Sequence, residues 1–308
     1  LDQYRGEPTF NVTGSLAMLA TLLIWVGFLL SLRAENQSLL TPTDLAVMRF
    51  GLPALLFLPV LIKSRHKLTK IGVGYSLMIM LGGLPFFYLI SLGTGYAPAA
   101  HAGALVPGTA PLFVTGLAVL VYKEPLPQSR LAGLTVILLG VTVLLGTALL
   151  NLEQNYWRGH LAFLAASLLW AFYTLALRIS GIGALEATAL LCTGSVSGLG
   201  LLISGDIVQS NLASVSWQEI WPFLLIQGVG AGIIGGITYG IAIRRLGAEK
   251  TAALGSFTPA LAAMAAIPVL GEQMTTSTLI GVLVIMLGVA LASGLRLGRR
   301  PGKKLIEA

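Results

Sequence analysis

Little of this sequence is charged. Of 308 residues, 12 are Asp or Glu and 19 are Lys or Arg, so 10% of the chain carries charge while 56% is hydrophobic. So few charges cannot cover the surface that a soluble chain of this length presents to water. Disordered, nucleic-acid-binding and disulfide-framework proteins are excluded together. The single cysteine, Cys192, allows neither an internal disulfide nor a cysteine metal site, and its apolar neighbours predict a small buried residue. Also missing are Gly-x-Ser-x-Gly (194–198 reads GSVSG), His-Glu-x-x-His and paired intramembrane aspartates, the parts of an intramembrane enzyme. Without a Gly-rich phosphate loop, ATP-driven transport would need a separate subunit.

What is present is apolar sequence in long runs. A hydrocarbon layer of roughly 30 Å takes about 20 helical residues to cross, and ten runs qualify, near 14–32, 45–62, 71–95, 98–121, 130–150, 159–178, 184–204, 219–243, 248–270 and 278–297. The first is too long for a signal-peptide core and is read as a retained span. The longest connection, 205–218, leaves no room for a soluble catalytic domain. With the N-terminus inside, Lys and Arg partition sixteen to two in favour of the inner side, with Arg33 and Arg158 outside and Arg49 within a span. The expected protein is a multi-pass protein of the inner (plasma) membrane with both termini cytoplasmic.

The chain repeats itself. Gly14 to Arg33 lies over Gly159 to Arg178 without gaps, matching at ten of twenty positions, Trp25 on Trp170 among them. Pro111 to Gly146 lies over Pro259 to Gly294, matching at thirteen of thirty-six, with Glu124 on Glu272, Gly133 on Gly281 and Gly140 on Gly288. Five spans per copy is an odd number, so the second copy enters the membrane from the opposite side. The expected fold is all-α and integral to the membrane: ten transmembrane helices as two inverted five-helix repeats, 14–150 and 151–297, between tails 1–13 and 298–308. Such repeats let one central site face either aqueous phase.

Two halves that each carry a Pro-containing span, a Glu at its end and then a Gly-x6-Gly span resemble the EamA branch of the drug/metabolite transporter superfamily. YddG-like bacterial amino-acid exporters are the relatives to compare first. The resemblance covers nearly the whole chain. It implies a small-molecule exporter or metabolite permease, with a central cavity lined mainly by spans 1, 3, 4, 6, 8 and 9 and with spans 5 and 10 at the periphery.

Side chains suited to a substrate at mid-membrane are few. Trp25 and Trp170 fall halfway along their spans, whereas an interfacial Trp belongs near a span end. Tyr88, Tyr173 and Tyr239 add aromatic bodies with polar tips, and Thr109 and Ser256 add hydroxyls near the matched prolines Pro111 and Pro259, the hinge candidates. Arg49 either snorkels, pairs with Asp44 or Glu35, or forms an anion contact near the external mouth. His101 is either a hydrogen-bonded structural residue or a pH-coupling group; His160 is a weaker candidate. Glu124 and Glu272 are expected to cap the helices that follow them, with Ser129 and Ser277 beside them, and Arg33 and Arg178 to anchor at the interfaces. Gly228, Gly232, Gly236 and Gly240 form a bare stripe for close helix approach.

All twelve acidic residues lie in tails, loops or span ends. A proton-driven exporter of cationic drugs needs a mid-membrane carboxylate to compensate the cation and carry the proton. Its absence favours a neutral or zwitterionic solute, an amino acid first, although a cation could still bind over Trp faces. The expected partners are that solute and the lipid bilayer, with no nucleic acid, ATPase subunit, metal or cofactor.

Overall fold

The computed structural model describes residues 11–150 and 152–293. Arg5 and the basic residues from Arg296 to Lys304, which the sequence assigns to the inner side, lie outside the described residues, as does the side chain of Ser129.

Every regular element among the described residues is helical: α1 Val12–Glu35, α2 Pro42–Lys70, α3 Gly72–Leu81, α4 Leu84–Tyr96, α5 Ala99–Leu120, α6 Gln128–Leu150, α7 Tyr156–Ser180, α8 Ala184–Ser204, α9 Trp217–Phe223, a π-helical stretch Leu224–Ile234, α10 Gly235–Leu246, α11 Ala248–Gly255, α12 Thr258–Leu270 and α13 Thr276–Ala292, with a short 3-10 turn at Leu152–Gln154. Eight stretches are long and apolar enough to cross a bilayer, taking α3 with α4 and α9 through α10 as single stretches. α12 and α13 are apolar but shorter.

Three of the expected runs are not plain helices. The run 71–95 breaks at Gly82–Gly83, where Gly83 takes φ −94° and ψ −118° and α4 restarts with Pro85 in its first turn. Non-helical backbone at this depth needs a polar partner, since lipid offers none. Ser195 of α8 supplies one, its Oγ accepting from the Leu84 N–H at 3.1 Å. The run 248–270 is cut by a turn at Ser256–Phe257, which places Pro259 in the first turn of α12, where a missing N–H costs nothing. The run 219–243 widens into π geometry just after Pro222, which cannot donate to the turn before it. Its glycines accommodate a close neighbour: a Cβ on Gly228 would lie 2.8 Å from the Met48 carbonyl, and one on Gly232 3.0 Å from that of Arg49, both on α2. Gly236 and Gly240 meet nothing within 4 Å, so the expected stripe packs over its first half.

The glycines of the Gly-x6-Gly pattern bring α6 and α13 together. A Cβ on Gly140 would sit 2.6 Å from the Ile285 side chain, one on Gly281 2.6 Å from Leu144, and one on Gly288 2.5 Å from the Ile137 backbone nitrogen, while Gly133 abuts Ala292. Residue numbers fall along α13 as they rise along α6, so these two repeat-equivalent helices pack antiparallel. Without a hydrophobic drive between helices in lipid, such contact surfaces depend on small residues.

The seam predicts unequal costs for equal chemistry. Gly140→Ala and Gly288→Ala should each destabilise the purified protein by about 1–3 kcal/mol through overpacking. Gly146→Ala, on α6 with nothing within 4 Å, should not; thermal unfolding of the three variants checks this.

Candidate functional site

The two glutamates at the ends of the matched spans reach across the repeats. Glu272, after α12, lies against Arg33 at the end of α1: Nε donates to Oε1 at 3.0 Å, and Arg33 Nη1 also donates to the Thr94 carbonyl at 2.5 Å. The same carboxylate accepts from the Ala99 N–H at 3.1 and 3.2 Å. Glu272 therefore caps α5, in the other repeat, and not the helix that follows it. That helix, α13, takes its cap from Thr275, whose hydroxyl accepts from the Thr278 N–H at 3.2 Å, and Ser277 bonds to that hydroxyl at 3.0 Å. Glu124 likewise leaves its own helix and receives both terminal nitrogens of Arg178. Arg33 and Arg178 are ion-pair partners, not free interfacial anchors.

The two pairs are repeat equivalents with exchanged halves, Arg33 with Glu272 and Glu124 with Arg178. They flank α5, whose 22 residues separate them by about 33 Å at 1.5 Å per residue. They differ in wetness. The Arg33 and Glu272 side chains are 28% and 12% exposed, the Arg178 and Glu124 side chains 47% and 42%.

The aromatic candidates follow the same exchange. Trp25 of α1 lies 5.1 Å from Tyr239 of α10, and Trp170 of α7 lies 5.1 Å from Phe86 of α4, ring centroid to centroid. Tyr173, one helical turn from Trp170, adds a third ring at 4.9 Å, and its Cβ packs against Gly82 at the break between α3 and α4. Each Trp therefore meets a ring from the opposite repeat.

Arg49 does not snorkel, and among the described residues it pairs with no carboxylate. Asp44 is engaged in a capping box with Thr41 and accepts from Ser210 and from the Asn211 N–H. Glu35 makes no ion pair with Arg49 among the described residues. The guanidinium lies over the Phe28 ring at 5.2 Å, within electrostatic reach of Tyr173 and Cys192, and its Nη1 is buried with no hydrogen-bond partner. Cys192 is free and buried, as its neighbours predict.

The remaining candidates are placed less centrally. Tyr88 bonds its hydroxyl to that of Thr43 at 3.1 Å, tying α4 to α2. Thr109, fully buried, bonds Ser167 Oγ at 2.9 Å and joins α5 to α7. Ser256 lines an open groove of about 500 Å³ with Leu254, Phe257, Leu283 and Met286. Pro111 sits inside the continuous helix α5, unlike its match Pro259 at the start of α12, so the hinge candidates are not conformational equals. His101 is buried between His160 and Thr278, its Nδ1 2.8 Å from His160 Nε2 and its Nε2 2.8 Å from Thr278 Oγ1.

Sequence reasoning undervalued two residues. His160, at the start of a span, is fully buried with its Nδ1 unpartnered. Gln227, the amide in the π-helical stretch, is fully buried and donates to Ser31 Oγ of α1 at 2.9 Å. A lone amide in an apolar run was the available signal for Gln227; nothing local marked His160, whose partner is 59 residues away.

The model of the EamA-like transporter family matches residues 12–146 and again 157–294. The chain belongs to the EamA-like transporter family. As an EamA-like chain it is similar to the uncharacterized transporter YyaM of Bacillus subtilis, 25% identical over 90% of this chain and 92% of that one. It is similar also to a probable amino-acid metabolite efflux pump of Salmonella typhimurium, 28% identical over 80% of this chain and 84% of that one. A solved structure, 20% identical, shares the fold with a TM-score of 0.57 over 92% of this chain and 98% of its own. An EamA-like chain with this many apolar helices is a multi-pass membrane transporter.

The difference in wetness predicts a difference in coupling. A double-mutant cycle on Arg33→Ala and Glu272→Ala should give an interaction of about 1–2 kcal/mol, because the pair is half-buried and backed by the Ala99 N–H. The same cycle on Arg178 and Glu124 should give no more than about 0.5 kcal/mol, as for a solvated pair. Thermal unfolding in detergent at low and high salt reads both.

Proposed function

We propose that this chain is a secondary carrier of ten spans, built as inverted repeats 14–150 and 151–297, that exports a small organic metabolite, an amino acid first, by alternating access. It sits in the plasma membrane with both termini cytoplasmic. Its central site lies between the two aromatic clusters, around Trp25 and Tyr239 and around Trp170, Phe86 and Tyr173.

The observation that carries this reading is the exchange of ion pairs. A carrier needs one closure at each end of its path, never both open, and the repeats meet at each end through one Arg–Glu pair. The drier pair, Arg33 with Glu272, marks the external end as the closed one here. Two further features support it: the antiparallel packing of α6 on α13, as inversion requires, and the break in α3–α4 beside Trp170 and Tyr173, the kind of discontinuous helix found at transporter binding sites. The printed name of the Salmonella relative favours amino-acid metabolites.

A cation exporter is the second reading. Of the charged groups the described helices bury, Asp44 and Glu35 sit at helix ends and Asp44 is engaged by Thr41, Ser210 and Asn211, while Arg49 lies further along α2 with no carboxylate partner among the described residues and repels a cation, so the electrostatics disfavour it.

Purified protein in liposomes should exchange labelled for unlabelled amino acids without ATP. Trp25→Ala or Trp170→Ala should slow exchange about tenfold or more, the scale of one lost aromatic platform; undiminished rates in both variants would remove them from the site. Arg33→Glu should stop exchange, and adding Glu272→Arg should restore only part of it, since the swapped side chains re-form the ion pair but neither the Ala99 N–H nor the Thr94 carbonyl contact.

A further inference from the structure

Arg49 is a guanidinium inside a membrane-crossing helix whose surroundings the fold leaves incomplete. Burying a cation at membrane depth is costly unless something compensates it. Here compensation is partial: the Phe28 face takes the flat side of the group at 5.2 Å, while Nη1 points at no acceptor and no carboxylate of the described residues is within ion-pair distance. Asp44, the acid nearest in sequence, is spent on Thr41, Ser210 and Asn211. Nor is Arg49 isolated from the aromatic cluster. Phe28, under the guanidinium, lies 6.3 Å from Phe87, and Arg49 is within electrostatic reach of Tyr173; the Tyr173 and Trp170 rings meet tilted at 4.9 Å, and those of Trp170 and Phe86 at 5.1 Å. Tyr173 also packs against Gly82, where the helix is interrupted.

We propose that Arg49 is the carboxylate-binding residue of the transport site, and that this carrier recognises small monocarboxylates with an apolar or aromatic body, amino acids of that kind among them. The argument rests on the carrier reading above and adds the chemistry of the ligand. A guanidinium presents N–H donors in a planar fork that matches a carboxylate. The rings of Tyr173, Trp170 and Phe86 extend from it as an apolar shelf for the rest of the molecule. A neutral amide of the same shape would leave the guanidinium charge uncompensated, and an amine would be repelled. The Nη1 of Arg49 is thus the donor that a transported carboxylate engages on each cycle.

Two measurements test this together. In liposomes, exchange of labelled L-phenylalanine or L-leucine is competed with the free acid, with phenylalaninamide and with phenethylamine. In detergent, thermal unfolding of the purified protein is followed with the same three compounds. The acid should compete and stabilise about tenfold to a hundredfold better than the amide, the worth of one charged hydrogen-bonding contact, and the amine should do neither. Arg49→Gln should erase the preference for the acid, and Arg49→Lys, which keeps the charge without the fork and guards against a folding defect, should retain part of it. An amide as effective as the acid in the unaltered protein, or a preference that survives Arg49→Gln, overturns the proposal while leaving the carrier intact. Stabilisation by the acid through Arg49 without any exchange upholds the site and overturns the carrier. Neither exchange nor stabilisation by any of these carboxylates overturns both.

Discussion

Helices in hydrocarbon gain nothing by hiding apolar surface from one another, so what holds this fold together is close contact between backbones and the satisfaction of backbone polar groups wherever a helix starts or breaks inside the membrane. α6 and α13 show the first requirement. Their glycines remove side chains at matched positions, and the two helices meet in an antiparallel seam. Ser195 on the Leu84 N–H and Glu272 on the Ala99 N–H show the second. In both cases the partner comes from the other repeat.

That exchange recurs from one end of the molecule to the other. Trp25 meets Tyr239 as Trp170 meets Phe86; Arg33 meets Glu272 as Arg178 meets Glu124. Gly14 packs against Leu246 of α10, and its equivalent Gly159 against Ala97 at the end of α4. A contact surface composed of paired equivalents is close to balanced between its two ends. Such a balance is what the proposed carrier requires, because small changes in hydration or ligand occupancy can then decide between two states. The unequal exposure of the two ion pairs is where this structure departs from that balance.

The sequence disclosed the repeats, the helical class and the residues that carry the exchange, because a duplicated apolar pattern and a misplaced Glu or Trp are local signals. It did not disclose their partners. Capping logic assigned Glu272 to the helix that follows it, since sequence proximity was the only distance available; the true donors, Arg33 and Ala99, are 239 and 173 residues away. The interruption at Gly82–Gly83 was invisible to hydropathy, which registers apolar content and not the direction of a backbone N–H. The turn at Ser256–Phe257 escaped for the same reason. Arg49 stands out in the sequence by its charge, but its lack of a carboxylate partner depends on Asp44 being held by Thr41, Ser210 and Asn211, and nothing near His160 at the start of its span points to His101, 59 residues away.

The central claim is that the two ends open in opposition. Spin labels at exposed positions near the Arg33–Glu272 pair, Gln37 and Gln273, and near the Arg178–Glu124 pair, Gln128 and Ile179, allow both ends to be followed by pulsed distance measurement in lipid with and without transported solute. The account predicts that the first distance lengthens as the second shortens, within the same population. Two distances that change in the same sense, or stay fixed while exchange proceeds, would contradict it.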